Sequence, residues 1–64
     1  MSRLTKASIA QYRHEREENQ LLVERIASGF RFHRDGIDVT AEVLADARRK
    51  IAELDVILSL YPNA

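Results

Sequence analysis

The sequence predicts an α+β domain in which two helices flank a short antiparallel β-hairpin, in the order α-β-β-α. Three observations predict it. The stretch "FRFHRDGIDVT", Phe30 to Thr40, alternates apolar and polar residues around an Asp-Gly pair, which is the turn chemistry of a two-residue hairpin. On either side of it, apolar residues recur at helical spacing. Gly29 and Pro62 stand where the two helical patterns stop. All 64 residues make one domain, 1–64. It divides into a helix at about 5–28, a hairpin at about 30–39 and a helix at about 40–61.

The first helix begins at Thr5 or Ser8, both good N-caps, and ends before Gly29, a residue suited to a helix stop. Its apolar positions are Ile9, Tyr12, Leu22, Val23 and Ile26. Ile9, Leu22 and Ile26 are assigned to the core. Between Tyr12 and Leu21 lies "RHEREENQ", eight polar residues in a row, which breaks the stripe at Arg16 and Asn19. The N-terminal half is therefore expected to bury little within a monomer, and to project, lie on a partner or present a solvated charged face.

In the hairpin, a type I′ turn at Asp35-Gly36 requires positive φ at both residues. It sets Arg34 opposite Ile37, His33 opposite Asp38 and Phe32 opposite Val39. Phe30, Phe32, Ile37 and Val39 then share one side, expected to be core, while Arg31, His33 and Asp38 share the other. His33 and Asp38 are expected to form a cross-strand charge pair. A lone hairpin is unstable in water, so its apolar side must pack on the helices. An irregular link is the alternative.

The second helix is expected to start at Thr40 as cap, with Glu42 and Asp46 near its positive end. Val39 and Leu44 stand at the spacing of a hydrophobic staple. Leu44, Ala47, Ile51, Leu54, Leu58 and Tyr61 form its core stripe. In "LDVILSLY" only Asp55 and Ser59 are polar, so Val56 and Leu60 fall on a second apolar face. Such a face marks a contact surface.

A chain this short buries only roughly 60% of its unfolded surface. With no cysteine there are no disulfides, which fits a reducing compartment. Self-association or docking on a protein partner is the expected supplement. No apolar run approaches the ~20 residues of a membrane span and no signal-peptide core is evident. The chain is expected to remain soluble in the cytoplasm and to need no cofactor. Ten basic residues balance ten acidic ones, so nothing draws the molecule as a whole to nucleic acid. Residues 1–34 carry seven Lys/Arg against four Glu, net +3, and residues 35–64 three against six, net −3. That polarity suits either head-to-tail contact between copies or two helices neutralising each other.

The run from the end of helix 1 through "SG", an aromatic-rich strand, "RDG", a short strand closing in "VT" and then "LADARRKIAELDVIL" resembles the W-type head–tail joining, or head-completion, proteins of tailed phages. The "RDG…VT" turn and "KIAELD", Lys50 to Asp55, carry most of it, and it covers about residues 21–58. The first helix is longer and more polar than that family's, the strands are short, and the chain stops three residues past Tyr61 where the family commonly continues. The resemblance implies a connector subunit: copies bind beneath the portal after DNA packaging, form a ring and present a platform for the next neck component. It places the protein in the host cytoplasm during assembly and then in the virion neck. On that reading Val56 and Leu60 bury against a neighbouring copy. Arg31, Arg34, Arg48, Arg49 and Lys50 meet an acidic portal surface or, secondarily, DNA phosphates, arginine binding either through its planar fork. Surface ion pairing within the monomer is the competing role for each.

Enzymatic chemistry finds no footing. His14 and Glu18 stand one turn apart, but metal sites need three or four ligands. Gly29 and Gly36 form no phosphate loop, and Glu15, Glu17 and Glu18 are neighbours without a pocket. Two other classes stay open. One is a homodimeric helical-hairpin module, a small chaperone or regulator that pairs into a four-helix bundle. The other is a DNA-binding or anti-host regulator using the basic N-terminal half, although four glutamates interleave with its arginines.

Overall fold

The computed structural model describes residues Thr5 to Tyr61. Its elements are α1 (Lys6–Ala27), β1 (His33–Arg34), β2 (Ile37–Asp38) and α2 (Thr40–Ser59). The two helices pack antiparallel with the hairpin at one end: Arg16 of α1 meets Asp55 of α2, while Asn19 and Leu22 border the α2 segment from Val43 to Glu53. The molecule measures 43 × 24 × 16 Å. Its thinnest dimension admits one layer of helices, each ~10–12 Å across with side chains. The core is correspondingly thin. Ile9, Thr40, Ala47 and Leu54 are buried, and Leu22, Ile26, Phe32, Val39, Leu44, Ile51, Leu58 and Tyr61 are half-buried.

Local chemistry sets the limits of α1. The Thr5 hydroxyl accepts the Ser8 N–H at 3.1 Å, so Thr5 is the cap. At the other end, Phe30 N–H donates to the Arg25 carbonyl and Gly29 N–H to that of Ile26, both at 3.0 Å. This pair of bonds is a Schellman closure, and it requires a left-handed residue at the position Gly29 fills with φ 110°.

The turn has φ 52° at Asp35 and 81° at Gly36, the positive pair that a type I′ turn demands. The register is His33 to Asp38 and Arg34 to Ile37, as the sequence implies. Regular pairing is shorter than 30–39, covering two residues per strand, although Val39 N–H still reaches the Phe32 carbonyl at 2.8 Å.

Five expectations are corrected. Phe30 and Ile37 are not core: they are 52% and 67% exposed, because a single helical layer cannot cover the whole apolar side of a ribbon standing at its end. Phe30 packs instead on Phe32, with ring centroids 4.9 Å apart. Thr40 does not cap α2. The helix begins at Thr40 itself, and its backbone N–H is taken by Asp38 Oδ1 at 2.9 Å. With the cap one residue earlier, Val39 no longer holds the staple position. His33 and Asp38 face each other without an ion pair, since the Asp38 carboxylate turns to Thr40. Within the N-terminal half of α1, Ile9 at 2% exposed is the one buried residue among those described, and Arg16 spans to α2. Finally, α2 ends at Ser59 rather than Tyr61, while Pro62 lies outside the described residues.

Candidate interaction surface

The inner edge of α2 is consumed by α1. What the fold leaves outward is therefore the material for a partner. Ala41, Ala45, Arg48, Ala52 and Val56 are all exposed on α2, as is Leu60 at its C-cap. Val56 and Leu60, 67% and 70% exposed, are its large apolar groups. Leu21 on α1 is also exposed, but it stands among His14, Glu17, Glu18 and Arg25 as a single apolar residue.

The basic residues do not form one patch. Arg31 and Arg34 are exposed on the hairpin, whereas Val56 lies about 24 Å along α2 from Thr40 at 1.5 Å per residue. Arg48, Arg49 and Lys50 fan around the helix, being successive residues 100° apart. Arg49 Nη2 pairs with Asp46 Oδ1 at 3.0 Å, and its Nε lies 3.9 Å from Glu53 Oε1. Arg48 and Lys50 are exposed and make no ion pair among the described residues.

Three residues with structural consequence escaped the pattern reading. Arg16 and Asp55 join the helices through a two-pronged guanidinium–carboxylate contact, Nε to Oδ1 and Nη2 to Oδ2, the latter at 3.4 Å. The contact spans the basic and acidic halves of the chain, so part of the charge polarity is neutralised within the monomer. Thr40 is the third. Its buried hydroxyl accepts the Phe32 N–H at 2.9 Å and donates to the Phe32 carbonyl at 3.4 Å. It latches the base of the hairpin to the first turn of α2 and so fixes where the ribbon points.

Both contacts leave their mark on titration. Hydrogen bonds from Thr40, side chain then backbone, hold the Asp38 carboxyl below its ordinary 3.8. The hydrogen bond from Arg16 does the same for Asp55. A carboxyl whose folded-state pKa is depressed contributes stability above its unfolded value and loses it as the pH falls through the folded one. The stability these two carboxyls contribute is therefore expected to be full above about pH 5 and to fall away as the pH drops through the 3.8 reference and below. Asp55→Asn should lower the plateau and shrink the acid loss, measured by thermal unfolding at successive pH values. A variant that kept the full acid loss would put its origin elsewhere.

Among the described residues no group of three or more His, Cys, Asp or Glu side chains could hold a metal, and His14 pairs with Glu18 at 2.5 Å. The surface depressions are open grooves, such as the one lined by Asn19, Leu22, Val43, Ala47 and Lys50 along the helix seam. Among the same residues no helix is long and apolar enough to cross a membrane. Neither family models, nor curated proteins, nor solved structures yield a match to this chain.

Proposed function

We propose that this chain is a non-enzymatic assembly subunit, and that its place is the head–tail junction of a tailed phage, docked on the portal. The observation that supports the reading is the arrangement itself: an Asp-Gly-turned hairpin between two antiparallel helices, the order that the resemblance to W-type joining proteins implies. The outward basic residues at the hairpin, Arg31 and Arg34, suit an acidic docking surface. On this reading the subunit waits in the host cytoplasm and enters the virion neck once a portal offers a template.

The decisive experiment mixes the purified chain with the portal protein encoded in the same genome and images the product by electron microscopy. An added ring of density on the portal supports the reading. A portal that stays bare, or a genome that encodes none, overturns it.

A homodimeric interaction module is the second reading. Its supporting observation is the thin core with Val56 and Leu60 turned outward. The solution mass over a hundredfold concentration range separates the two. A tight dimer at every concentration would favour the module, because ring assembly could then not await a template.

A further inference from the structure

We propose that the outer face of α2 binds the same face of a second copy, antiparallel about a two-fold axis near Ile51, as a weak, reversible dimer. The inference does not depend on the head–tail reading, since it concerns what covers this face in solution.

The argument begins with size. Along the outward stripe the residues are small at one end, Ala41 and Ala45, and large at the other, Val56 and Leu60, and all four are exposed. A parallel pairing would stack large on large at one end and leave a gap at the other. An antiparallel pairing centred between Lys50 and Ile51 sets Val56 over the second copy's Ala45 and Leu60 over its Ala41, at both ends at once. That is the self-complementarity an isologous contact requires.

Charge selects the same arrangement. In a parallel pair the Arg48-Arg49-Lys50 cluster of one copy would lie on that of the other. In the antiparallel register the second copy's Glu53 lies within one residue of the level of Arg49, on the same flank. That contact occurs twice. Arg49 lies 3.0 Å from Asp46 and 3.9 Å from Glu53 of its own helix, so it reaches the second copy's Glu53 by exchanging one carboxylate for another. Ala52, exposed between these charges, lets the two backbones approach.

Each copy brings two large apolar side chains to this contact, Val56 and Leu60, where a standard interface draws on about 20–30 residues a side. The dimer therefore forms toward the upper end of the concentration range and leaves monomer at low concentration, which also keeps the face available for docking.

Sedimentation equilibrium up to about millimolar protein, where weak contacts of this size class are populated, tests the proposal through a charge swap. Arg49→Glu and Glu53→Arg each place like charges opposite one another in the homodimer, and each should weaken it on the order of tenfold or more. An equimolar mixture of the two restores opposite charges at both contacts and should recover the wild-type association. Val56→Lys should abolish association without any such rescue, and it keeps the test available should a charge variant fold poorly. Circular dichroism checks that each variant stays helical. A wild type that remains monomeric throughout, a dimer indifferent to these substitutions, or a mixture that fails to recover would each overturn the proposal. Portal binding is not read by this experiment, so the two proposals fail separately.

Discussion

Leu54→Ala is expected to lower the unfolding free energy by about 3 kcal/mol, within the ~2–5 kcal/mol range for a buried leucine truncated to alanine. Leu54 is the largest fully buried side chain among the described residues. At ~0.05–0.15 kcal/mol per residue, a domain of this length commands roughly 3–10 kcal/mol in all. One substitution thus removes a third of the stability or all of it. With ~4–8 °C lost per kcal/mol in a domain this small, Tm should fall on the order of 15 °C. The value sits in the lower half of the range because a single helical layer can close partly around a cavity that a deep core would keep. Val56→Ala, two residues on and 67% exposed, should stay within about 0.5 kcal/mol in the monomer. Urea unfolding followed by circular dichroism, at concentrations low enough to avoid association, measures both. Equal losses at the two positions would mean that the inner and outer faces of α2 are wrongly assigned.

The contrast between Leu54 and Val56 was visible in the chain because it rests on local periodicity. Leu44, Ala47, Ile51, Leu54 and Leu58 recur at helical spacing, and a helix with one apolar stripe must turn that stripe inward. The hairpin turn was legible for a similar reason. Asp35-Gly36 is a pair that tolerates positive φ at both positions, and once the turn is placed, the register of His33 with Asp38 follows by counting. The Schellman closure at Gly29 is local as well. All of these are written within a few residues of where they act.

What pattern reading lost depends on residues far apart in sequence. Arg16 looks like a break in the stripe because periodicity counts it as polar. Its long stem lets it lie over the helix interface while its charged head reaches Asp55, 39 residues on. The available signal was Asp55, one of the two polar residues in "LDVILSLY", once the helices are set antiparallel. Phe30 and Ile37 read as core because ribbon alternation sorts them with Phe32 and Val39. Alternation names a side of the ribbon, not the amount of protein available to cover it, and two helices cover only the base. The outer face of α2 was seen through Val56 and Leu60, yet its small end, Ala41 and Ala45, carries no signal in a hydrophobicity pattern. Its fit becomes apparent only when the helix is considered against itself.

Thr40→Val should cost about 1–3 kcal/mol, the penalty for leaving a buried donor unpaired. By propensity alone Thr40 belonged at the cap, and two features moved it. Asp38 supplies a carboxylate for the Thr40 N–H at 2.9 Å, so the threonine hydroxyl is not needed as the cap. The turn then brings Phe32 back to within 2.9 Å of that hydroxyl. Valine preserves the shape and the β-branch but can neither accept nor donate. The Phe32 carbonyl keeps the Val39 N–H at 2.8 Å, whereas the Phe32 N–H keeps nothing. Thr40→Ser retains the hydroxyl and loses only a methyl, about 0.8 kcal/mol by transfer. Because the two totals can fall close together, the Phe32 amide itself is the sharper readout. Hydrogen exchange should find it protected in the wild type and in Thr40→Ser, and freely exchanging in Thr40→Val. The valine variant should also lose the dispersed amide signals of residues 33–38, since β1 and β2 pair over only two residues each and so short a ribbon does not hold its place unaided. Protection unchanged by valine would show that the hairpin is held by its turn and aromatic pair alone. In that case Arg31 and Arg34 would owe their position to the Asp-Gly turn and not to the helix it precedes.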